Sequence, residues 1–468
     1  MVLPVDPRAA TVGPPSSAAG PDEFTARGAR PTRGPVTSPG MTRQVVVFLA
    51  ASIVLHCVVS LWLGPMIFND SPRYTALGPW HPAIDVLGVD GTGSPFVQLV
   101  WLLPIPLALV AQSILGGLVW AFATIAGLVV IRSRRVAIGW LAVFTLMYWQ
   151  PRVLLLDAAI LSESLTISGS LACVTGAVCV SNVRARQAVP LPVVCIAMVG
   201  GFGVAVLSRP VTLIALAPIM FVAFLLAWRD GCRRPLLVLC AFAITAYGVL
   251  LSANVAHSSS EVWRAQDRLA LRATPEMIAA AHQTGFTDCP ELTSDRLIKS
   301  ARDAYQWYPI GPLQIRRSGD GTPPIDAVRN TQCSGISNWV KARHLTPVEQ
   351  LVYIPGDTVS GYISDVFNLW LEHAFSPDPI RFGPIFTVLF DLAALTTLGV
   401  SAWRRQGPAR VWILVGTAFL SWFAYSIVVW LSDPVELGRH FLPIPVVLAP
   451  FAFSAALFLR PERDSDTI

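Results

Sequence analysis

The chain has 468 residues, 53% of them hydrophobic and 13% charged, with a mean hydropathy of +0.57 and a formal net charge of +5. Soluble globular proteins carry about 25% charged residues, so this composition indicates an integral membrane protein rather than a water-soluble one. Nor does the positive charge indicate nucleic-acid binding, because the arginines are scattered between apolar runs with no basic stripe interleaved with aromatics. Lysine occurs only at Lys299 and Lys341. With abundant Ala, Val, Gly and Pro, this suits a high-GC bacterial genome.

Residues 1–43 are rich in Pro, Ala, Gly, Ser, Thr and Arg and cannot bury a core, so a disordered cytoplasmic tail is expected. It is not a signal peptide, because the first apolar run comes too late and is too long. A spanning helix needs about 20 apolar residues. Ten are predicted, at 44–66, 99–131, 136–152, 158–181, 190–207, 211–228, 236–255, 381–402, 410–431 and 440–459. The second run is too long for one span. Pro104 and Pro106 are expected to break it, leaving a short interfacial helix over 95–104 before the span.

Orientation follows from the arginine bias. With the N-terminus cytoplasmic, the inner connections are "RSRR" (132–135), "SNVRARQ" (181–187), "WRDGCRRP" (228–235), "WRRQGPAR" (403–410) and the tail 461–468, all basic-rich. The outer connections carry Asp70, Asp85, Asp90, Asp157 and Asp433, with single arginines at Arg73, Arg152, Arg209 and Arg439. The expectation is an all-α, multi-pass protein of the bacterial inner or plasma membrane with both termini cytoplasmic. Its domains would be a membrane core over 44–255, an extracytoplasmic loop domain over 256–380 and a last membrane portion over 381–460. Within the loop, "DTVSGYISDVFNLWLEHAF" (357–375) is amphipathic and suits either a helix in the membrane interface or a core-facing helix of the loop.

Six of the eight cysteines lie in or beside membrane helices. Cys289 and Cys333 fall together in the outer loop, and two thiols in an oxidising compartment suggest a disulfide. No CxxC or His-rich spacing points to a metal site, and no cofactor is implied.

The polar residues on the outer side carry the chemistry. Asp70 follows the first helix, where it is a general base for an acceptor hydroxyl, a metal ligand, or a helix-end or turn residue favoured by Asp-Ser-Pro. Arg209 in "LSRPVTL", and Arg439 with His440 in "GRHFLPIP", either clamp a phosphate or snorkel to headgroups. Asp157 is expected at the outer surface and Glu163 about two turns into the fourth helix. A carboxylate within an apolar helix is a functional candidate by default, and its alternative is a structural pair with an arginine of another helix.

Several of these features resemble, in order, the GT-C superfamily of polytopic glycosyltransferases, which includes protein mannosyltransferases, aminoarabinose transferases and mycobacterial arabinosyltransferases. The matching stretches are "NDSPRY", "GSPFVQLVWLLP", "WQPRVLLLDAAILSES", "GGFGVAVLSRPVTLIALAP" and "GRHFLPIP", covering most of 44–255 and 410–460. The resemblance implies sugar transfer from a polyprenyl-phosphate-linked donor to a glycan, glycolipid or protein acceptor, by one inverting displacement at the extracytoplasmic face. It makes Asp70 the catalytic carboxylate, with Asp157 and Glu163 facing the site and Arg209, Arg439 and His440 toward the donor phosphate. Two positions depart from the pattern: relatives often carry two adjacent acids where this chain has Asn69-Asp70, and His440 replaces the tyrosine of the last motif. Other classes stay open. A lipid-linked glycan transporter or flippase would show internal repeats, and none is found. An O-antigen ligase or polymerase would keep its main features in the large loop, and a structural subunit would carry no chemistry.

Overall fold

The computed structural model describes residues 39–65, 95–101, 103–131, 133–159, 161–182, 185, 189–209, 211–229, 383–403, 409–432 and 443–459. They form eleven helices and no strand. These are α1 Pro39–Leu63, α2 Pro95–Trp101, α3 Ile105–Leu128, α4 Arg134–Tyr148, α5 Pro151–Asp157, α6 Glu163–Ser181, α7 Leu191–Ser208, α8 Thr212–Arg229, α9 Gly383–Trp403, α10 Ala409–Ser432 and α11 Pro443–Leu459. Six of them, α1, α3, α6, α7, α9 and α10, are long and apolar enough to cross a bilayer, and Thr212–Trp228 and Ile444–Leu457 are shorter apolar helices. The described residues are thus those of an all-α membrane protein. The expected helix over 236–255, the loop over 256–380 and its amphipathic stretch lie outside the described residues.

Prolines set several of the boundaries. Pro104, with φ −50° and ψ 139°, separates α2 from α3, and Pro106 lies in the first turn of α3. There its missing N–H costs nothing, so the second apolar run divides where the sequence predicts. Gln150 is extended, with ψ 142°, because the residue before a proline is pushed out of the helical region. The predicted helix over 136–152 therefore stops at Tyr148, and Pro151 opens a separate short helix, α5. The same restriction ends α7: Arg209 precedes Pro210 and is extended, with φ −154° and ψ 99°.

Two expectations need correction. Helix α1 begins at Pro39 rather than 44, so the last residues of the predicted tail are already helical. The predicted helix over 158–181 begins at Glu163, although Ala158-Ala159 are good helix formers. A tertiary contact overrides propensity here. The Gln112 amide, from α3, reaches the carbonyls of Leu156, Asp157 and Ala159 at 3.0, 3.2 and 3.2 Å. Those carbonyls lie at and just beyond the end of α5, where helix carbonyls need partners, and binding them stabilises a chain break that lasts until Ser162.

Helix α6 is the axis of the bundle. All nineteen of its residues are buried, and α3, α7, α8, α10 and α11 pack around it. Many of its residues are small, which in a membrane lets backbones approach closely. A Cβ on Gly169 would lie 2.5 Å from the Ala205 nitrogen, and one on Gly201 would lie 2.6 Å from the Cys173 nitrogen. Helices α6 and α7 therefore touch backbone to backbone along Gly169, Cys173, Gly201 and Ala205. Outside this packing, α1 exposes Val47, Val54, Val58 and Trp62, and α9 exposes Leu389 and Leu392, as faces turned to lipid do.

Gly201→Val is expected to destabilise the domain by at least the 1–3 kcal/mol typical of overpacking, because the neighbour it meets is backbone that cannot swing away. Gly200→Ala, with nothing within 4 Å of the added carbon, should be neutral or slightly stabilising. Unfolding midpoints of the purified variants in detergent measure both, and equal loss from the two would refute the crossing.

Candidate functional site

The segment from Gln150 to Thr166 carries two of the three buried carboxyl groups of the described residues, Asp157 and Glu163. Asp157, the last residue of α5, is 2% exposed. His56 of α1 donates from Nε2 to Oδ2 at 2.8 Å, and the Ser164 hydroxyl donates to Oδ1. Gly116 of α3 makes room for this carboxylate, since a Cβ there would stand 3.4 Å from Oδ2 and 3.4 Å from the Ser168 hydroxyl. The His56 ring is fully buried and stacked on Tyr148, with centroids 4.1 Å apart and planes at 11°, while Trp149 meets it edge-on at 5.4 Å. Asp157 is thus enclosed rather than at a surface, as the sequence had suggested. Both its oxygens are engaged, and its role in this conformation is to join α1 and α5 to the first turn of α6.

Glu163 opens α6, so it stands at a helix N-terminus and not two turns deep. That end of the helix dipole favours a carboxylate. Its Oε1 lies 3.3 Å from Nη2 of Arg209, with side-chain exposures of 0% for Glu163 and 11% for Arg209. The Ser162 hydroxyl reaches Oε2 at 3.4 Å. This is the cross-helix arginine pair that the sequence left as an alternative. Arg209 is also hydrogen-bonded to Tyr425 of α10, and its carbonyl accepts from the Thr212 hydroxyl at 2.7 Å. Its Nη1 has no partner. The cation is therefore fixed on one side by an acid and a phenol, and keeps one nitrogen uncommitted.

On the other flank of the segment, Thr387 of α9 donates to Oε1 of Gln150 at 2.8 Å. Two residues along, Arg152 interacts electrostatically with Asp391 of α9 without a close ion pair. A small cleft between α1, α3 and α4 is lined by Ile53, Gly117, Trp120, Phe144, Thr145 and Tyr148. It is apart from Glu163 and Arg209. Among the described residues no group of three His, Cys, Asp or Glu is placed to hold a metal ion.

Of the residues singled out from sequence, the structure brings Glu163 and Arg209 together and sets Asp157 against Ser164, one residue along α6. Asp70, Arg439, His440, Cys289 and Cys333 lie outside the described residues, as do Asp85 and Asp90. Sequence reasoning passed over His56, Gln112, Tyr425 and Asp391. Two of them had a signal: His56 in "VLHCVV" and Asp391 in "LFDLAAL" are lone ionisable groups in apolar runs, which are functional or structural sites by default. Gln112 and Tyr425 had none, because their importance depends on what other helices place beside them. No family model, curated protein or solved structure matches the chain.

Removing one member of a buried ion pair costs about 3–5 kcal/mol, because the other is left uncompensated. Glu163→Ala strands Arg209, and Arg209→Ala strands a fully buried Glu163. The loss from Arg209→Ala should be the larger, since Arg209 is part-exposed and can turn to water or headgroups. The double variant is expected to recover part of the summed loss. A double-mutant cycle on unfolding in detergent measures the coupling, and strict additivity would show that the pair contributes nothing.

Proposed function

We propose that the chain is a GT-C-type membrane glycosyltransferase, moving a sugar from a polyprenyl-phosphate-linked donor to a glycolipid, cell-wall glycan or protein acceptor at the extracytoplasmic face. The observation that supports this best is Arg209. It is a guanidinium held by Glu163 and Tyr425, 11% exposed, with Nη1 buried and without a hydrogen-bond partner among the described residues, and it follows "GGFGVAVLS" and precedes a proline as in the resembling sequences. A guanidinium held in this way suits a phosphate that arrives along the bilayer. Arg439 and His440 would complete the phosphate site from the entry to α11.

Asp70 would supply the base. It follows the C-terminal end of α1 by seven residues, and that part of α1 carries His56 against Asp157. Asp70 would take the proton of an acceptor hydroxyl, whose oxygen then attacks the anomeric carbon as the bond to the donor phosphate breaks. One displacement inverts the anomeric centre. Glu163 orients Arg209, and Asp157 holds the frame. The ten-span topology adds α4, α8, α11 and residues 236–255 to the six longer helices. It places both termini in the cytoplasm and 256–380 outside, with Cys289 and Cys333 bonded. A lipid-linked glycan flippase is the second reading, favoured by the intramembrane charges Arg152 and Asp391 on facing helices.

Membranes containing the chain and supplied with polyprenyl-phosphate-linked pentoses or hexoses should form a glycosylated product. Asp70→Asn is expected to lower the rate by about 10²–10⁴-fold, the contribution of a positioned base, while donor binding survives. Arg209→Gln should weaken donor binding instead. A native rate from Asp70→Asn would remove the base assignment, and donor movement across the bilayer without any product would favour the flippase.

Reporter fusions after residues 134 and 232 should report cytoplasm and fusions near 300 the outside. Peptide mapping of unreduced protein should then recover Cys289 joined to Cys333. A cytoplasmic signal near 300 would overturn both the topology and the disulfide.

A further inference from the structure

Three carboxyl groups occur among the described residues: Asp157, Glu163 and Asp391. The first two have partners on every side that needs them, and the third does not. Asp391 is the ninth residue of α9 and is 1% exposed. Neither of its oxygens has a hydrogen-bond partner. The backbone N–H of Ala449 in α11 is near enough to act on the carboxyl electrostatically, but it does not meet hydrogen-bond geometry to either oxygen, and inside α11 it serves the helix's own ladder.

The surroundings of Asp391 are organised. Thr387, one turn earlier on the same face of α9, is 2% exposed and bonded to Gln150. Gln150 and Arg152 flank Pro151, which opens α5, so that hydrogen bond anchors the segment carrying Arg152 against α9. Arg152 senses the Asp391 carboxyl, yet no close ion pair forms, and its Nε is buried without a partner. An arginine cannot shed its charge. An ionised carboxylate beside it in a low-dielectric interior would draw the guanidinium into a short, charge-assisted hydrogen bond. A buried carboxyl with neither oxygen hydrogen-bonded, and no close ion pair to the neighbouring guanidinium, is the arrangement of a neutral acid, for which the penalty of burial is far smaller than for the ion.

The other elements packed on α9 offer no competing charge. Helix α11 carries no ionisable residue, and α9 itself carries only Asp391. In α4, Arg134 and Arg135 open the helix at the end away from Gln150, and Tyr148 is stacked on His56. In α5, Asp157 is held by His56 and Ser164. Among the described residues, Arg152 alone faces Asp391.

We propose that Asp391 is a proton-binding site of the membrane domain, protonated in the conformation described and closed upon by Arg152 when its proton is released. In that step the carboxyl O–H bond breaks, the proton passes to water, and the carboxylate accepts hydrogen bonds from the guanidinium already present. Closure would draw on the start of α5, whose last residue is bonded to the first turn of α6. The site is separate from Glu163 and Arg209 and does not depend on sugar transfer.

Infrared difference spectra of the purified full chain in lipid nanodiscs, titrated from acid to alkaline pH, test this without any substrate. The native protein is expected to show the carbonyl stretch of a protonated acid that disappears as pH rises, and Asp391→Asn to lack it. Asp391→Glu should keep the band at a displaced frequency, which decides the matter if Asp391→Asn does not fold. Arg152→Gln should retain the band to higher pH, because the cation that would receive the carboxylate is gone. Identical protonated-acid bands in the native protein and the Asp391 variants would overturn the proposal, as would an unchanged titration in Arg152→Gln.

Discussion

A helix with no side turned to lipid or water must bring every polar group it carries into the protein, and α6 is such a helix. Its burial is possible because Gly169 and Gly201 let its backbone lie directly on that of α7. That closeness leaves Glu163, at the first position of α6, and Arg209, just past the last of α7, side by side. In a bilayer there is no strong apolar driving force between helices, so close packing and polar contacts decide how they associate. Here the two act on the same pair of helices. The glycine crossing sets the separation, and the ion pair at its end sets the register.

Three carboxyls are accommodated in three ways, and the differences bear on what each can do. Asp157 accepts from His56 and Ser164. At 2% exposure, neither oxygen is open to a substrate hydroxyl in this state. Glu163 is compensated by a full charge and by the N-terminus of its own helix, which adds about 0.3–1 kcal/mol even at exposed sites. Its negative charge is what retains Arg209, so a Glu163 that took up a proton would release the cation it positions. Asp391 has no hydrogen bond to either oxygen and, in Arg152, a cation that forms no close ion pair with it. The first two are therefore framework for a cation, and the third is the one among the described carboxyls free to change state.

Much of the helical layout was legible in the sequence, for physical reasons. Apolar runs of about 20 residues mark α1, α3, α6, α7, α9 and α10, and X-Pro restrictions mark the ends of α2 and α7. The break between α5 and α6 was not legible. "LLLDAAILSES" contains no Pro or Gly, and what interrupts it is a glutamine from a helix more than forty residues away in sequence. Because of that break, Glu163 sits at a helix start and Asp157 is enclosed, so the depth of both was misjudged together. Their polarity was visible in one dimension, whereas their partners, His56, Gln112, Arg209 and Tyr425, come from four other parts of the chain.

The proposed chemistry is constrained by the same framework. A general base needs an acceptor oxygen open to the substrate hydroxyl within hydrogen-bond reach. Asp157 has none open, and Glu163 would lose its hold on Arg209 by taking a proton. Under the transfer reading, a base among the described carboxyls would thus weaken the phosphate site in the same step that needs it. Dividing the work avoids this conflict: one acid anchors the guanidinium, and the acid that cycles its proton lies on another segment. Asp70 meets that condition because it stands on the connection after α1, covalently independent of the α5–α6 break. The frame that ties the two parts together is then the His56–Asp157 contact, which joins the C-terminal half of α1 to the end of α5 and, through Ser164, to the first turn of α6.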